Sequence, residues 1–572
     1  MPLGLVSTDP VRPSPTRSIL AIPALLAACY GAPPPSGPQS DSKAPAEPYP
    51  LGPEMLLLEK DAGSEEYRGL LRSQSANVNV LNAEWERVKV ADGPGSFLSA
   101  HGGIERVNAD PALRAAHERR RKIADRFLDV LREEFAFRGK KAPAEKEEAP
   151  PAGSLSAPGA EIPVEALLPA PGAERQWPRW RGPGGMGLSA ETDLPVRWSP
   201  TENVAWKTEL PGQGNSSPVI WDERIFLTTA FDQGGRRSLL CVSRADGAIL
   251  WVVDAPAVPP EGRVIQKNGY ASATPAVDGE RVVVFFGNGG LAAFDLEGKL
   301  LWHHPLPPFD AMHGTGASPL IHGDLVILFQ EQSSKPSLGI AVDKRTGERR
   351  WRIEREPALG WCTPLALRIA GRDQIVHGAS KMLVAYDPVT GAEIWSSRGP
   401  THEVIPTVIA GHGLIFCASG RSGPMLAIRP DGTGDLGAKG IAWSSPRGAP
   451  HVPSPVLSGE LLYQVNDLGI LTCFRARTGE VLFQKRLGGT FSASPVAAGG
   501  NVYFTSEDGD TTVVRAGPDL EVVSVNSLGE TTLASAAVLG GQIFIRTAKR
   551  LWAIGARAGT TSNGPSGAPA SR

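Results

Sequence analysis

The sequence predicts an all-β fold, an eight-bladed β-propeller over residues 176–556, preceded by a small helical region and disordered linkers. A short opening motif, in which proline usually follows a small residue, recurs every 40 to 57 residues, which is the length of a four-stranded blade. Most units close on a Gly followed, usually four positions later, by an aromatic residue. A chain of 572 residues with 65 Gly and 52 Pro is too long for one ordinary core, but it suits a turn-rich repeat.

The first 28 residues are interpreted as a lipoprotein signal peptide. Arg12 and Arg17 precede an apolar run, residues 19–28, that is too short to span a bilayer. The run leads into Leu26-Ala27-Ala28-Cys29, which resembles a bacterial lipobox, so Cys29 is the predicted lipidation site. The alternative is an ordinary signal peptide with an incidental cysteine.

Three segments separate this signal from the propeller. Residues 29–50 are rich in Pro, Ser and Ala and are expected to be a tether, because they cannot bury enough apolar surface to fold. Residues 51–140 are expected to be mainly helical, and residues 141–175 form a second linker. A disordered tail is expected over residues 557–572.

One amphipathic helix is predicted within residues 51–140. Asp110 suits the N-cap, Pro111 suits the first turn, and the helix should end near Gly139. Its apolar stripe is expected to pack on neighbouring helical segments, although a partner-binding surface is the alternative. The basic run Arg119 to Lys122 is interpreted as a solvated turn.

The openings of the repeats set the number of blades. They are Ser217-Pro218, Thr274-Pro275, Ser318-Pro319, Thr363-Pro364, Ile405-Pro406, Ser454-Pro455, Ser494-Pro495 and the degenerate Ser535-Ala536. Ile405 is the one large residue at an opening. Eight openings predict eight blades.

The closing motif has a structural role. Gly suits the tight turn between the third and fourth strands, and the aromatic residue then falls on the outer strand, where it can cover the next blade. The predicted closing residues are Trp206, Trp251, Trp302, Trp351, Trp395, Trp443 and Phe483. Trp206 has no repeat before it, while the last unit lacks a strand, so residues 203–207 are expected to complete the eighth blade.

The spacing and the closing motif resemble the pyrroloquinoline-quinone-like propeller repeat family, most clearly in Ala341 to Trp351 and Ala385 to Trp395. The resemblance implies an eight-bladed propeller, and it is nearest in type to the non-catalytic branch that contains the lipoprotein subunit of the outer-membrane barrel-assembly machinery. The segment from Trp177 to Gly187 resembles the entry to the propeller in secreted members.

The same family contains quinone-dependent dehydrogenases, which hold the quinone against a disulfide of adjacent cysteines and bind calcium. This sequence has no adjacent cysteines, and Cys241, Cys362, Cys417 and Cys473 lie singly in apolar contexts typical of small buried residues. No cofactor is therefore expected; quinone with calcium belongs to the enzyme alternative.

The loops before the inner strands converge on one mouth of the central channel. The candidate ligand or partner contacts there are Asn268, His313, Trp361, His402, Glu403 and His451. Three histidines and a glutamate could form a metal site, but their unequal offsets favour partner contacts, and no metal or catalytic residue is predicted.

With a net charge of −2, a pI of about 6.6 and no sustained basic stripe beyond Arg119 to Lys122, the sequence lacks the electrostatic pattern of a nucleic-acid-binding protein, and no nucleic-acid partner is expected. We expect a non-catalytic scaffold in the bacterial envelope, lipid-anchored at the outer membrane and facing the periplasm, with protein partners there. The alternatives are a quinone-dependent dehydrogenase with an atypical site and a small-ligand or glycan sensor.

Overall fold

The computed structural model describes residues 109–123 and 161–556, except residues 263, 266, 309, 311, 312, 421, 422 and 447. The chain divides into two compact units, Met1–Glu147 and Glu148–Arg572. The predicted signal peptide, its Cys29, the tether and the tail lie outside the described residues. Within the described residues, no helix has the length and apolar character needed to cross a bilayer.

Helix α1 covers residues 111–123 of the first unit. Asp110 caps it, because its Oδ1 accepts the backbone N–H groups of Ala112 at 2.8 Å and Leu113 at 3.3 Å. The predicted N-cap is therefore confirmed, whereas the predicted end near Gly139 lies outside the described residues. The solvated basic turn is wrong at Arg120, which is buried and donates to the carbonyl of Ala116.

The second unit is a propeller of eight four-stranded antiparallel blades, as predicted. Before the first blade lie β1 (Val164–Ala166) and β2 (Val204–Glu209). Blade one contains β3 (Val219–Trp221), β4 (Arg224–Phe231), β5 (Arg236–Ser243) and β6 (Ile249–Asp254), and blade two contains β7 (Ala276–Val277), β8 (Arg281–Phe285), β9 (Leu291–Asp295) and β10 (Leu300–His304). Blade three contains β11 (Leu320–His322), β12 (Leu325–Gln330), β13 (Ser337–Asp343) and β14 (Arg349–Arg355). After the short β15 (Leu359–Gly360), blade four contains β16 (Leu365–Ile369), β17 (Arg372–Ala379), β18 (Met382–Tyr386) and β19 (Glu393–Arg398).

The remaining blades follow in chain order. After the short β20 (Glu403–Val404), blade five contains β21 (Ile409–Gly411), β22 (Leu414–Ala418), β23 (Met425–Ile428) and β25 (Ile441–Ser445), with the extra strand β24 (Gly434–Asp435) between the last two. Blade six contains β26 (Val456–Ser458), β27 (Leu461–Val465), β28 (Ile470–Arg475) and β29 (Val481–Arg486), and blade seven contains β30 (Val496–Ala498), β31 (Asn501–Thr505), β32 (Asp510–Arg515) and β33 (Glu521–Ser527). Blade eight contains β34 (Ala537–Leu539), β35 (Gln542–Arg546) and β36 (Arg550–Ile554). Short 3-10 turns occur at Ala173–Arg175, Asp232–Gly234, Gly287–Gly289 and Gly437–Gly440.

Strand β2 closes the ring by pairing antiparallel with β36, with Lys207 opposite Trp552. The pairing shifts register between Val204 and Trp206, as the third and fourth strands of every other blade also do beside their closing turn. The strand from the start of the propeller thus serves as the fourth strand of blade eight, and the predicted closure is confirmed.

A ring of hydroxyl side chains, each two residues before the start of an inner strand, joins the eight blades. We call it the hydroxyl ring: Ser217, Thr274, Ser318, Thr363, Thr407, Ser454, Ser494 and Ser535. In seven of its steps the backbone N–H of one member donates to the hydroxyl oxygen of the member in the next blade, at 2.9 to 3.0 Å. In the eighth step, the Thr407 hydroxyl donates to the carbonyl of Thr363 at 3.0 Å.

The ring corrects the predicted opening of blade five. Thr407 takes the ring position there, two residues after Ile405, and Val408 stands where six of the other blades have proline and blade eight has Ala536. The strand β21 then begins two residues after Thr407, just as β3 begins two residues after Ser217. Ile405 is therefore not a large residue at the opening of blade five, because it lies two residues before that opening.

Most of the closing tryptophans pack on the next blade. The rings of Trp206, Trp251, Trp302, Trp351 and Trp443 lie over the turn glycines Gly247, Gly298, Gly347, Gly391 and Gly479 of the following blade. Four of the five indoles also donate to a backbone carbonyl of that blade at 2.8 to 2.9 Å.

Two closing residues depart from this arrangement. Trp395 is fully buried, but its indole donates to Gln374 of its own blade at 2.8 Å. In blade five the turn is replaced by an insertion whose strand β24 pairs in parallel with β19, and Gly440 ends a 3-10 turn there. Phe483 packs on Tyr463 within blade six, with ring centroids 6.4 Å apart.

Residues 161–191, which we call the plug, lie against the inner strands of the blades. Strand β1 pairs with β16, Trp177 bridges Ile220, and Leu188 bridges Ala497. Further hydrogen bonds tie the plug to blades two, five, six and eight. Residues 161–175, which the sequence assigns to a linker, are therefore part of the packed structure.

Candidate functional site at the mouth of the channel

The candidate residues lie on the loops that lead into the inner strands, and these loops share one end of the channel because each blade starts there. The structure divides the six predicted residues into two groups. One group comes from the loops into blades two, three and four, and the other from the loops into blades five and six.

Asn268, His313 and Trp361 form the first group. The Asn268 amide donates to the carbonyls of His313 at 2.8 Å and Thr315 at 2.9 Å. The His313 ring stacks on Trp361, with centroids 5.7 Å apart and planes 29° apart. The Trp361 indole donates to the carbonyl of Gly314 at 2.7 Å, so three successive loops are held together.

His402, Glu403 and His451 form the second group. Glu403 is buried, with its Oε1 3.6 Å from Nε2 of His402 and its Oε2 3.8 Å from Nε2 of His451. His402 is 45% exposed and His451 is 27% exposed, so both imidazoles reach solvent beside a buried carboxylate.

The two groups adjoin each other through the parallel pair of β15 and β20. The backbone N–H of Trp361 donates to the carbonyl of Val404, directly after Glu403, at 2.9 Å. The mouth is therefore one connected surface. His313 lies in the first group, apart from His402 and His451 in the second group. In the described part of the chain, no cluster of three or more His, Cys, Asp or Glu side chains could hold a metal ion.

A buried ionic cluster supports this surface from below. Glu331 pairs with Arg355, and its Oε1 lies 3.5 Å from Nε2 of His377, whose ring stacks on Phe329 with centroids 4.4 Å apart. Burial and the nearby Arg355 hold the pKa of His377 well below its ordinary value. Gly360 of β15 has no room for a side chain, because a Cβ there would lie 2.2 Å from Glu331 Oε2. The buried cluster thus packs directly against β15, which leads into Trp361 at the mouth.

A contact between loops of blades two and seven was not predicted from the sequence. Lys267 Nζ, in the loop into blade two, lies 2.6 Å from Glu507 Oε1 in blade seven, and the Ser492 hydroxyl donates to the same oxygen at 2.6 Å. The base of that loop is fixed by the buried pair of Arg237 and Glu261, 2.5 Å apart. The one available signal was the 57-residue interval between Ser217 and Thr274, the longest in the repeat.

The four described cysteines are buried and free, as predicted. Burial raises the pKa of Cys241 to about 12 and the pKa values of Cys362 and Cys473 to about 11, and it also raises the pKa of Cys417. Thiols in this state are poor nucleophiles and poor metal ligands. The mouth therefore offers aromatic, imidazole and amide groups rather than thiol chemistry.

The propeller matches one family model, described as outer membrane protein assembly factor BamB, over residues 184–327, 309–466 and 434–561. A curated protein of that name from Yersinia pestis is 23% identical over 221 residues, which are 37% of this chain and 50% of that protein. The chain thus spans about half the length of that relative.

Solved structures share the fold at low identity. BamB from Moraxella catarrhalis has a TM-score of 0.46 at 18% identity, over 61% of this chain and 98% of that chain. A quinohemoprotein alcohol dehydrogenase from Comamonas testosteroni has a TM-score of 0.51 at 12% identity, over 68% of this chain and 82% of that chain. A europium-containing methanol dehydrogenase has the same score and identity, over 65% of this chain and 89% of that chain. At such identities the likeness concerns the fold alone.

Proposed function

Because this chain belongs to the family of outer membrane protein assembly factor BamB, we propose that it is a non-catalytic scaffold of the bacterial envelope that binds protein partners during outer-membrane protein assembly. The proposal is supported by the family match across all eight blades and by the kind of surface that the mouth presents. A nucleic-acid partner is not proposed, because the chain has a net charge of −2 and binding of phosphate groups depends on an excess of positive charge.

The observation that carries the proposal is the connected mouth surface of Trp361, His313, His402 and His451, which packs against a buried ionic cluster. Protein interfaces draw much of their affinity from a few aromatic and polar anchors held in place before binding. The backbone and side-chain bonds described above hold these groups in position, so little ordering cost would fall on the complex.

The test is co-purification with matched variants of the full chain. His402→Ala and His451→Ala should reduce capture of outer-membrane assembly proteins, measured by mass spectrometry of membrane extracts, with little change in melting temperature. Val389→Ala is the control, because Val389 is 73% exposed in the turn between β18 and β19, at the opposite end of the blades. Equal capture by all three variants would contradict a binding role for the mouth.

We further propose that the chain is attached to the membrane through lipidated Cys29 alone, facing the periplasm. Each buried methylene of an acyl chain contributes about 0.8 kcal/mol to membrane binding. Cys29→Ser should therefore move the protein from the membrane fraction to the soluble fraction. Identical fractionation of both proteins as soluble would contradict the anchor.

The scaffold role also implies that no redox cofactor is bound. Pyrroloquinoline quinone added with calcium should give no saturable heat in calorimetry and no alcohol- or sugar-dependent dye reduction. The four described thiols are separate and buried, so they offer no wall for a planar quinone. Saturable micromolar binding with calcium-dependent turnover would instead favour a dehydrogenase.

A further inference from the structure

Two buried arginines of the plug have no negatively charged partner among the residues that the structure describes. Arg179 is 4% exposed and Arg181 is 1% exposed, and neither forms an ion pair within the described part of the chain. Arg179 donates to the carbonyls of Leu167 and Pro183, and Arg181 donates to the carbonyl of Pro455 at 2.6 Å. Guanidinium groups keep their charge in proteins, and a buried charge without a counter-charge is costly. Within the described residues, these two side chains therefore lack a balancing negative charge.

The hydrogen bonding of these side chains is also incomplete. Nη1 of Arg179, and both Nε and Nη1 of Arg181, are buried and have no acceptor. Unmet donors on a charged group add to the cost of burying it. The group that would complete these contacts must accept hydrogen bonds and carry negative charge.

A small cavity lies beside Arg179, between the plug and the hydroxyl ring. Its lining includes Arg179, Trp180, Ser318, Thr363 and Leu365, with no carboxylate. The free space holds about one water-sized occupant. It is too small for a nucleotide, a sugar or a peptide.

The hydroxyl ring supplies further donors to this cavity. The Ser318 hydroxyl oxygen accepts the backbone N–H of Thr274, and the Thr363 hydroxyl oxygen accepts that of Ser318, each at 3.0 Å. A hydroxyl that accepts a bond in this way still has its own hydrogen to donate. Arg179, Ser318 and Thr363 thus contribute donor groups to a lining that is otherwise largely apolar.

We propose that this cavity is a binding site for a small monovalent anion, with chloride as the abundant candidate. A chloride ion would accept hydrogen bonds from the guanidinium and both hydroxyls and would supply the missing charge, whereas a water molecule supplies no charge. Burial lowers the pKa of Arg179 to about 10, and an adjacent anion would oppose that shift. The ion would link the plug to blades three and four.

The first test uses the wild-type chain and locates the ion. Crystals grown in sodium bromide should show an anomalous peak between Arg179, Ser318 and Thr363, because bromide replaces chloride at such sites. No peak there, with ordinary density for a single light atom, would mean that water alone fills the cavity and would overturn the proposal.

The second test measures binding in solution. At constant ionic strength, replacing gluconate by chloride between about 5 mM and about 500 mM should raise the melting temperature by about 2 °C, because the ion binds only the folded state. Gluconate is too large for the cavity. A melting temperature that does not respond to chloride would overturn the proposal.

Variants assign the response to this cavity. Arg179→Met and Thr363→Val should abolish the chloride response, whatever their own melting temperatures, and Thr363→Ser should restore it. Arg175→Met, which changes an exposed arginine of the plug, should keep the response. If Arg179→Met does not fold, the two Thr363 variants decide, since a response that persists in Thr363→Val would place the ion elsewhere.

Discussion

The indole ring of Trp351 lies so close over the backbone of Gly391, in the turn of the next blade, that an added Cβ would be 2.8 Å from the ring. The same indole donates to the carbonyl of Pro388 at 2.9 Å. The contact between these two neighbouring blades thus depends on the Trp351 ring and on the absence of a side chain at Gly391.

Gly391→Ala should therefore lower the melting temperature markedly, because the new methyl group must displace the Trp351 ring. Gly371 is the matched control, since it has a similar positive φ, +80° against +73°, but has open space around its Cβ position. Both variants incur the cost of a left-handed alanine, and Gly391→Ala should cost about 1–3 kcal/mol more. Equal melting temperatures for the two variants would show that the ring contact is unimportant.

Ser454→Ala tests the hydroxyl ring. The substitution leaves the buried backbone N–H of Thr407 without its acceptor at 2.9 Å, which should cost about 1–3 kcal/mol of stability. Ser458→Ala, at the far end of β26, should have little effect. Thermal unfolding of the two variants measures the difference, and similar values would mean that the ring contributes nothing.

Asp343 should give the propeller an acid-sensitive contribution to stability. A hydrogen bond from Arg350, helped by the backbone N–H groups of Arg345 and Thr346, lowers the pKa of Asp343 to about 2, from 3.8. A lowered folded-state pKa means that the stabilisation is complete above pH 3.8 and is lost as the pH falls towards 2. Asp343→Asn should consequently destabilise the protein at pH 7 but not at pH 2.

Melting curves of wild type and Asp343→Asn between these two pH values measure the effect. Asp324→Asn, which removes an exposed carboxylate of the same blade, controls for the change in net charge. A difference between wild type and Asp343→Asn that stays constant down to pH 2 would contradict the assignment.

Removal of β2 should open the ring. A chain that begins at residue 192 lacks the plug but keeps β2, whereas one that begins at residue 210 lacks both and leaves β36 with an unpaired edge. The shorter chain should aggregate, as free sheet edges do, and the longer one should stay monomeric in size-exclusion chromatography. The prediction fails if both chains elute as monomers.

The architecture could be predicted from the sequence because its signals are local. The Gly-to-Trp step of Gly347 and Trp351 combines a tight turn with a large flat side chain, and it recurs often enough to count blades. The same approach misplaced blade five, because the proline after Ile405 resembled an opening. The decisive feature there is the hydrogen bond from Thr407 to Ser454, 47 residues away, which no local pattern encodes.

The candidate site could be predicted only in outline. Loops before inner strands must share one end of a propeller, so the region of Trp361 and His402 followed from topology. Which residues touch depends on loop paths, and neither the pair of Lys267 and Glu507 nor the separation of His313 from His402 has a sequence signature. The plug was predicted only in part: the sequence assigned Trp177 to Gly187 to the propeller entry, but it placed residues 161–175 in a linker, and the contacts of Arg179 and Arg181 lie in a segment without regular secondary structure.

The closure by β2 also has a consequence for folding during translation. Glu209 and Arg550 form an ion pair across the closing strands, yet 341 residues separate them in sequence. At about 5–20 residues per second, roughly 17–70 s of translation pass between the synthesis of β2 and that of its partner strand. Throughout that interval the nascent ring has two unpaired edges, and holdase chaperones have that long to cover them.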